Sequence, residues 1–274
     1  MSTAAFVIAL LTMSLLPSAF AQDPGSAQPV SFPSIRGASI ELAGFLRRPD
    51  GAGPFPAVIL LHGSAGNWRG VDSRWGRRLV TWGYVALTVD SYGPRGIKSV
   101  FGRFDRDDPP DHKFDSYAAL EFLSAQPYVL ADRVAVLGES GGGTMVLIGA
   151  AKGVIEQDFP RKFRAAVALY PECSTVHKPM SLPTLVLIGE LDDFNLAQHC
   201  KDLAFGRRAW LWHRNPPDEK VHLTVFPGVY HAFDNPAFQN GQRLLGTHWL
   251  EYNADAAERS VEEIRRFLHD RFGG

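Results

Sequence analysis

The strongest constraint on the fold of this 274-residue chain is a series of short, unbroken apolar runs separated by stretches of helical length. Pro56–Leu61, Val85–Val89, Val134–Leu137, Ala165–Leu169 and Thr184–Ile188 each have strand length, and most are rich in β-branched residues. A strand with one wetted face alternates apolar and polar residues, so runs without alternation belong to strands covered on both faces. Between them Ser73–Trp82, Lys113–Ala125, Gly142–Ala151 and Leu196–Phe205 read as helices. Asp255–Arg271 reads as a last helix, with Ala257, Val261, Ile264, Phe267 and Leu268 on one face and charges elsewhere. Alternating strands and helices predict an α/β domain over residues 36 to 274, with a mainly parallel central sheet and helices on both faces. Ala38–Leu46 followed by Arg47–Pro56 is expected to add an antiparallel hairpin at its edge.

The run Val134–Leu137 leads into Gly138-Glu139-Ser140-Gly141-Gly142 and then into a helical pattern. Gly-x-Ser-x-Gly is a common pattern by itself; placed between strand and helix it describes a sharp turn that lifts a serine hydroxyl above the sheet. The following helix aims its positive end at the place where negative charge would develop on a substrate oxygen. Ser140 is therefore the candidate nucleophile. A serine needs a general base downstream of it in the chain; of the nine histidines His62 and His112 lie upstream, and among the rest His231 alone follows a strand-like run, Val221–Phe226, and sits on the loop beyond it. Loops at the carboxyl ends of parallel strands are where ligand chemistry collects. His231 is the expected base. The run ending at Ile188 leads into Gly189-Glu190-Leu191-Asp192-Asp193. An acid there can fix the imidazole tautomer and stabilise the imidazolium, with Asp192 the first choice and Asp193 the alternative. Two backbone N–H groups must hold the oxyanion: Gly141 supplies one, and Ser64 or Gly63, in the loop Leu61-His62-Gly63-Ser64-Ala65-Gly66, the other. His62 is expected to brace that loop.

With 28 basic and 29 acidic residues the formal charge is −1, which offers no broad positive field for nucleic acid or anionic membrane. The expected partner is a small molecule. No His, Cys and carboxylate cluster has metal-ligand spacing, and no cofactor is expected. The chain starts with an apolar run from Ala4 to Leu16, followed by Ala19-Phe20-Ala21, the small-x-small pattern of a cleavable signal peptide over residues 1–21. The apolar run is shorter than the roughly 20 residues that span a bilayer. Export to the periplasm or medium is therefore expected, without stable membrane insertion after cleavage. Residues 22–35, rich in Pro, Gly and Ser, read as a flexible leading segment. The two cysteines, Cys173 and Cys200, are either one bridge or two buried thiols.

His62-Gly63-Ser64, Asp90-Ser91-Tyr92-Gly93-Pro94-Arg95-Gly96, Gly138–Gly142, Gly189–Asp193 and Tyr252–Ala257 together resemble the dienelactone hydrolase family, over most of residues 36 to 272. The founding enzymes carry a cysteine nucleophile where this chain has Ser140, and a glutamate near the position of His62. The resemblance implies an α/β-hydrolase fold and hydrolysis of carboxylic esters or lactones through Ser140, Asp192 and His231, by way of an acyl-enzyme. It also implies that Cys173 and Cys200 meet near the rim of the site, in a disulfide clamping the Asp192 loop. A peptidase or deacylase on the same scaffold, and a non-catalytic binding protein, are the alternatives.

Overall fold

The computed structural model describes residues 26–36, 40–101, 112–206, 217–244 and 247–273. Eight strands form one sheet: β1 (Gln28–Pro33), β2 (Glu41–Arg47), β3 (Phe55–Leu61), β4 (Val85–Asp90), β5 (Val129–Glu139), β6 (Ala165–Leu169), β7 (Thr184–Gly189) and β8 (Val221–Phe226). Their spatial order is β1-β2-β4-β3-β5-β6-β7-β8. From β4 to β8 every neighbouring pair is parallel, while β2 runs antiparallel to both β1 and β4. Every residue of β6 and β7 is buried. Successive strand side chains point to opposite faces, so this burial requires cover on both sides of the sheet. The expected α/β architecture is the one observed.

The helices are α1 (Trp68–Val71), α2 (Arg77–Thr81), α3 (His112–Ser124), α4 (Gly141–Ala150), α5 (Ala197–Phe205) and α6 (Ala254–Phe272). Of these α3 and α4 pack on each other and on β5, and α6 packs on β6 and β7. Asn253 caps α6 by accepting the Ala256 N–H at 3.0 Å, and Ile264, Phe267 and Leu268 turn its apolar stripe into the core. Among the described residues no helix is long and apolar enough to cross a membrane.

Three details differ from the sequence reading. The edge hairpin forms one strand earlier than expected: Gln28–Pro33 pairs with Glu41–Arg47, so residues 28–33 of the segment read as flexible are a strand. Proline at positions 29 and 33 of that stretch is tolerated because an edge strand leaves one row of backbone groups unpaired. The helix expected over Ser73–Trp82 begins at Trp68 and is interrupted by a π-helical turn, Asp72–Gly76, between α1 and α2. That turn is fastened to the sheet by a buried ion pair, with Arg47 Nε donating to Asp72 Oδ1 at 3.0 Å and the Thr88 hydroxyl donating to the same oxygen at 3.2 Å. A small second sheet, β9 (Gln242–Leu244) with β10 (His248–Leu250), follows the His231 loop and had no counterpart in the pattern. The signal-peptide segment, residues 1–21, lies outside the described residues.

Candidate active site

Because β3, β5, β6, β7 and β8 are parallel, the chain leaves all of them at the same edge of the sheet, and the loops beyond them assemble the site. Ser140 occupies the single residue between β5 and α4, at φ 50° and ψ −118°. A left-handed φ is strained for any residue with a Cβ. The turn is held from both sides: the Ser140 N–H donates to the Leu169 carbonyl and the Ser140 carbonyl accepts from Thr144 N, both at 2.9 Å. The motif glycines are required by proximity, since a Cβ on Gly138 would lie 2.4 Å from the Gly142 carbonyl carbon. Tyr170 (φ 40°) and Ala232 (φ 59°) are the other non-glycine residues with positive φ among those described, and both line the same cleft as Ser140. Strain of this kind persists only where surrounding structure enforces it, and it gathers at functional sites.

The serine, histidine and aspartate singled out from the sequence meet here. His231 Nε2 lies 3.1 Å from Ser140 Oγ, and His231 Nδ1 lies 2.7 Å from Asp192 Oδ2. Asp192 and His231 are both buried. The other Asp192 oxygen accepts the backbone N–H groups of Phe194 and Asn195 at 3.0 and 2.8 Å, so the carboxylate is fixed at both ends. Its Oδ2 can only accept, which places the imidazole proton on Nδ1 and leaves Nε2 as the lone-pair nitrogen facing the serine hydroxyl. Asp193 points elsewhere: its Oδ1 accepts from Trp249 N at 3.0 Å, and its carbonyl lies 2.9 Å from His248 Nδ1.

The loop after β3 approaches the serine from the other side. The Gly63 carbonyl is held by His62 Nδ1 at 2.9 Å and by Gly66 N at 3.0 Å. In a trans peptide the N–H points opposite to the carbonyl, so pinning the Gly63 carbonyl aims the Ser64 N–H the other way. Ser64 N would lie 3.1 Å from a Cβ placed on Gly141, so the Ser64 backbone comes close against Gly141, next to Ser140. The Ser64 carbonyl is itself held, by Val100 N and Ser99 Oγ, each at 3.0 Å. His62 is buried and accepts the Ser91 N–H on Nε2 at 3.3 Å. Burial lowers its pKa, the Gly63 hydrogen bond opposing, and both ring nitrogens are taken up by backbone groups of the two loops it joins.

Over these groups lies a cleft of about 350 Å³. Val71, Phe101, Ala232, Phe238 and Leu250 supply its apolar walls, Gly63, Ser64, Ser140 and His231 lie at its base, and Arg74, Glu139, Asn235 and Gln242 add polar groups to its lining. Phe194 stacks on Phe101 at 5.4 Å between centroids and leans on the His231 ring at 5.2 Å. Residues 102–111 and 207–216 lie outside the described residues. Among the described residues no group of three or more His, Cys, Asp and Glu side chains is placed to hold a metal ion.

Cys173 and Cys200 form a disulfide, with Cα atoms 5.0 Å apart. It ties the loop after β6 to α5, which follows the Asp192 loop, as the family likeness implied. The sequence reading missed a largely buried ionic cluster in the wall of the cleft: Arg74, Glu139 and Asp234, with Trp75 and Tyr170. The one available signal was a charged residue, Glu139, at the end of an otherwise apolar strand.

The model of the dienelactone hydrolase family matches residues 42–272. A protein of Aquifex aeolicus (strain VF5) named "Putative carboxymethylenebutenolidase" is 27% identical over 213 residues, which is 72% of this chain and 83% of that protein. Among solved structures, a dienelactone hydrolase-like promiscuous phosphotriesterase from metagenomic libraries has a TM-score of 0.70 at 22% identity, covering 92% of this chain and 100% of its own. A thermostable carboxylesterase cloned from a metagenomic library has a TM-score of 0.61 at 16% identity, covering 92% of each chain. At those identities the two structures speak for the fold.

Proposed function

The chain belongs to the dienelactone hydrolase family, whose members are carboxylic ester hydrolases, and on that footing we propose that it cleaves small esters or lactones through an acyl-enzyme on Ser140. The observation that carries this reading is the unbroken line from Asp192 through His231 to Ser140, with bonds of 2.7 and 3.1 Å, opening on a cleft with mainly apolar walls.

In the proposed cycle His231 Nε2 takes the Ser140 proton as Oγ bonds to the substrate carbonyl carbon, and the carbonyl π pair moves onto oxygen. The Ser64 and Gly141 N–H groups stabilise that oxyanion, while Asp192 remains ionised and stabilises the imidazolium. Collapse breaks the bond to the leaving alkoxide, which takes the proton from Nε2. Water, deprotonated by His231, then attacks the acyl carbon, and Ser140 leaves with its proton restored. Phe101, Phe238 and Leu250 in the wall of this cleft of about 350 Å³ favour short apolar or aromatic acyl chains.

The test is covalent labelling by a fluorophosphonate together with turnover of p-nitrophenyl acetate. Wild type is expected to be labelled on Ser140, and Ser140→Ala to lose both labelling and turnover while keeping its circular dichroism spectrum. A Ser140→Ala variant with undiminished turnover defeats the reading. Export is supported by the signal-like residues 1–21 and by the Cys173–Cys200 disulfide, a bond that persists in oxidising compartments.

A further inference from the structure

Beside the triad lies a second set of ionisable groups that the cycle above does not use. Arg74, on the π-helical turn, donates to Glu139 Oε2, and its Nε lies 3.4 Å from Asp234 Oδ2. That contact is an ion pair without a hydrogen bond from Nε; Asp234 accepts from Trp75 Nε1 at 3.1 Å and from the Tyr170 hydroxyl at 2.7 Å. Glu139 and Asp234 are buried, at 5% and 7% exposure, so none of this is a surface ion pair of small consequence. The positions matter as much as the bonds. Glu139 immediately precedes Ser140, Asp234 lies on the loop that carries His231, and the Tyr170 ring packs edge-on against the His231 ring at 4.7 Å.

The charges do not balance. One guanidinium serves two carboxylates, and Glu139 Oε1 is buried without a hydrogen-bond partner among the described residues. Burying unbalanced charge is costly, and an apolar set of similar volume would generally hold the fold as well or better. Stability therefore gives no reason for the cluster, whereas its contacts with both reacting loops do. Burial pushes the Glu139 carboxyl up to about 7; Asp234 acts in the same direction and Arg74 opposes it. Burial works against the Arg74 charge, but Glu139 and Asp234 outweigh it and hold the guanidinium protonated. The titratable groups facing Glu139 are Arg74 from the π turn and Asp234 from the His231 loop, with Tyr170 from the end of β6 beyond them and the Trp75 indole alongside.

We propose that Arg74, Glu139 and Asp234 are positioning residues, the guanidinium bridging both carboxylates so as to hold the Ser140 turn and the His231 loop at bonding distance, and that protonation of Glu139 slackens this hold. The proposal rests on the triad reading above. As pH falls through about 7, Glu139 takes up a proton and Arg74 keeps only Asp234, so turnover falls. Stability moves the other way. A carboxyl held above its ordinary value contributes stability that is fully present below the ordinary carboxylate range and is lost as pH rises through about 7. Acidification from about pH 8 to about pH 6 should therefore lower kcat while raising the contribution of this cluster to Tm.

The experiment measures kcat, KM and Tm against pH for the full chain, with p-nitrophenyl acetate, in wild type, Glu139→Gln and Arg74→Lys. Glu139→Gln keeps an acceptor for Arg74 but cannot titrate. Its kcat at pH 8 is expected to fall on the order of tenfold to a hundredfold with KM little changed, as for a misplaced reacting group. Its acid limb should be shallower than that of wild type by one ionisation, and the wild-type Tm should gain on it as pH drops. Arg74→Lys keeps the charge but not the fork, and should lower kcat while retaining the steep acid limb. A Glu139→Gln profile of the same shape as wild type overturns the proposal. If that variant does not fold, wild type and Arg74→Lys decide: an acid limb carrying only one ionisation in both overturns it. Fluorophosphonate labelling separates the two levels. Wild type unlabelled on Ser140 defeats the triad reading; wild type labelled, with an unaltered Glu139→Gln profile, defeats this inference alone.

Discussion

Removing the Cys173–Cys200 cross-link should destabilise the protein by an amount that its loop length sets. The bridge closes a segment with a sequence separation of 27. Loop-closure entropy for a segment of that size corresponds to about 3.5 kcal/mol at 25 °C. For a domain of this length each kcal/mol moves Tm by roughly 2–4 °C, so the expected drop is about 7–14 °C. Both sulfurs are buried, so a Cys173→Ala, Cys200→Ala double variant adds a packing loss, and reduction of wild type isolates the cross-link. The assay is differential scanning calorimetry of native and fully reduced wild type, with thiol counting to establish complete reduction. The acid loop keeps a second tie, since Asn195 Nδ2 donates to the Tyr170 carbonyl at 2.7 Å. Turnover at 25 °C should therefore survive reduction within roughly threefold while the temperature of inactivation falls with Tm. A Tm drop under about 2 °C with both thiols free would refute the argument from chain entropy.

Two further substitutions follow from the geometry. Asp192→Asn removes the acceptor that fixes the His231 tautomer and should lower kcat by about 10⁴. Asp193→Asn, whose side chain bonds Trp249 N and not the imidazole, should change kcat by less than roughly threefold, read in the same ester assay. Gly141→Ala would put a methyl 2.5 Å from Ser64 Oγ and 3.1 Å from Ser64 N. It should displace the Ser64 amide and lower kcat by about 10²–10³ with an unchanged far-UV circular dichroism spectrum; an intact kcat would remove Ser64 from the oxyanion site.

The parts of this molecule that are legible in the sequence are those with a local signature. Ala165–Leu169 and Val221–Phe226 occupy the strand positions read from apolar runs, because burial on both faces, or packing at a sheet edge, imposes its composition residue by residue. Ser140, Asp192 and His231 could be picked out because each follows a strand, and strand ends are visible. The sequence put Asp192 ahead of Asp193 but left both open, since one residue decides whether a side chain faces His231 or Trp249. The Arg74, Glu139 and Asp234 cluster had no such signature. Its members come from three distant stretches of chain, and a lone charge in a sequence looks the same whether it is solvated or buried beside a partner. Gln28–Pro33 escaped notice for a related reason: an edge strand is only half buried, so its prolines and polar residues read as a loop.

The π-helical turn Asp72–Gly76 gives the cluster an unusual sensitivity to chain length. The helix from Trp68 to Thr81 continues through it, but with one residue more than regular α-geometry would hold, and from this turn the neighbours Arg74 and Trp75 both reach Asp234. Deleting a single residue there would restore an ordinary helix and turn one side of it by about 100° against the other. No side-chain substitution would be involved, yet Arg74 and Trp75 could no longer serve the same carboxylate. Among relatives of this chain, a one-residue gap in an otherwise alignable helix would mark those built without the charged brace.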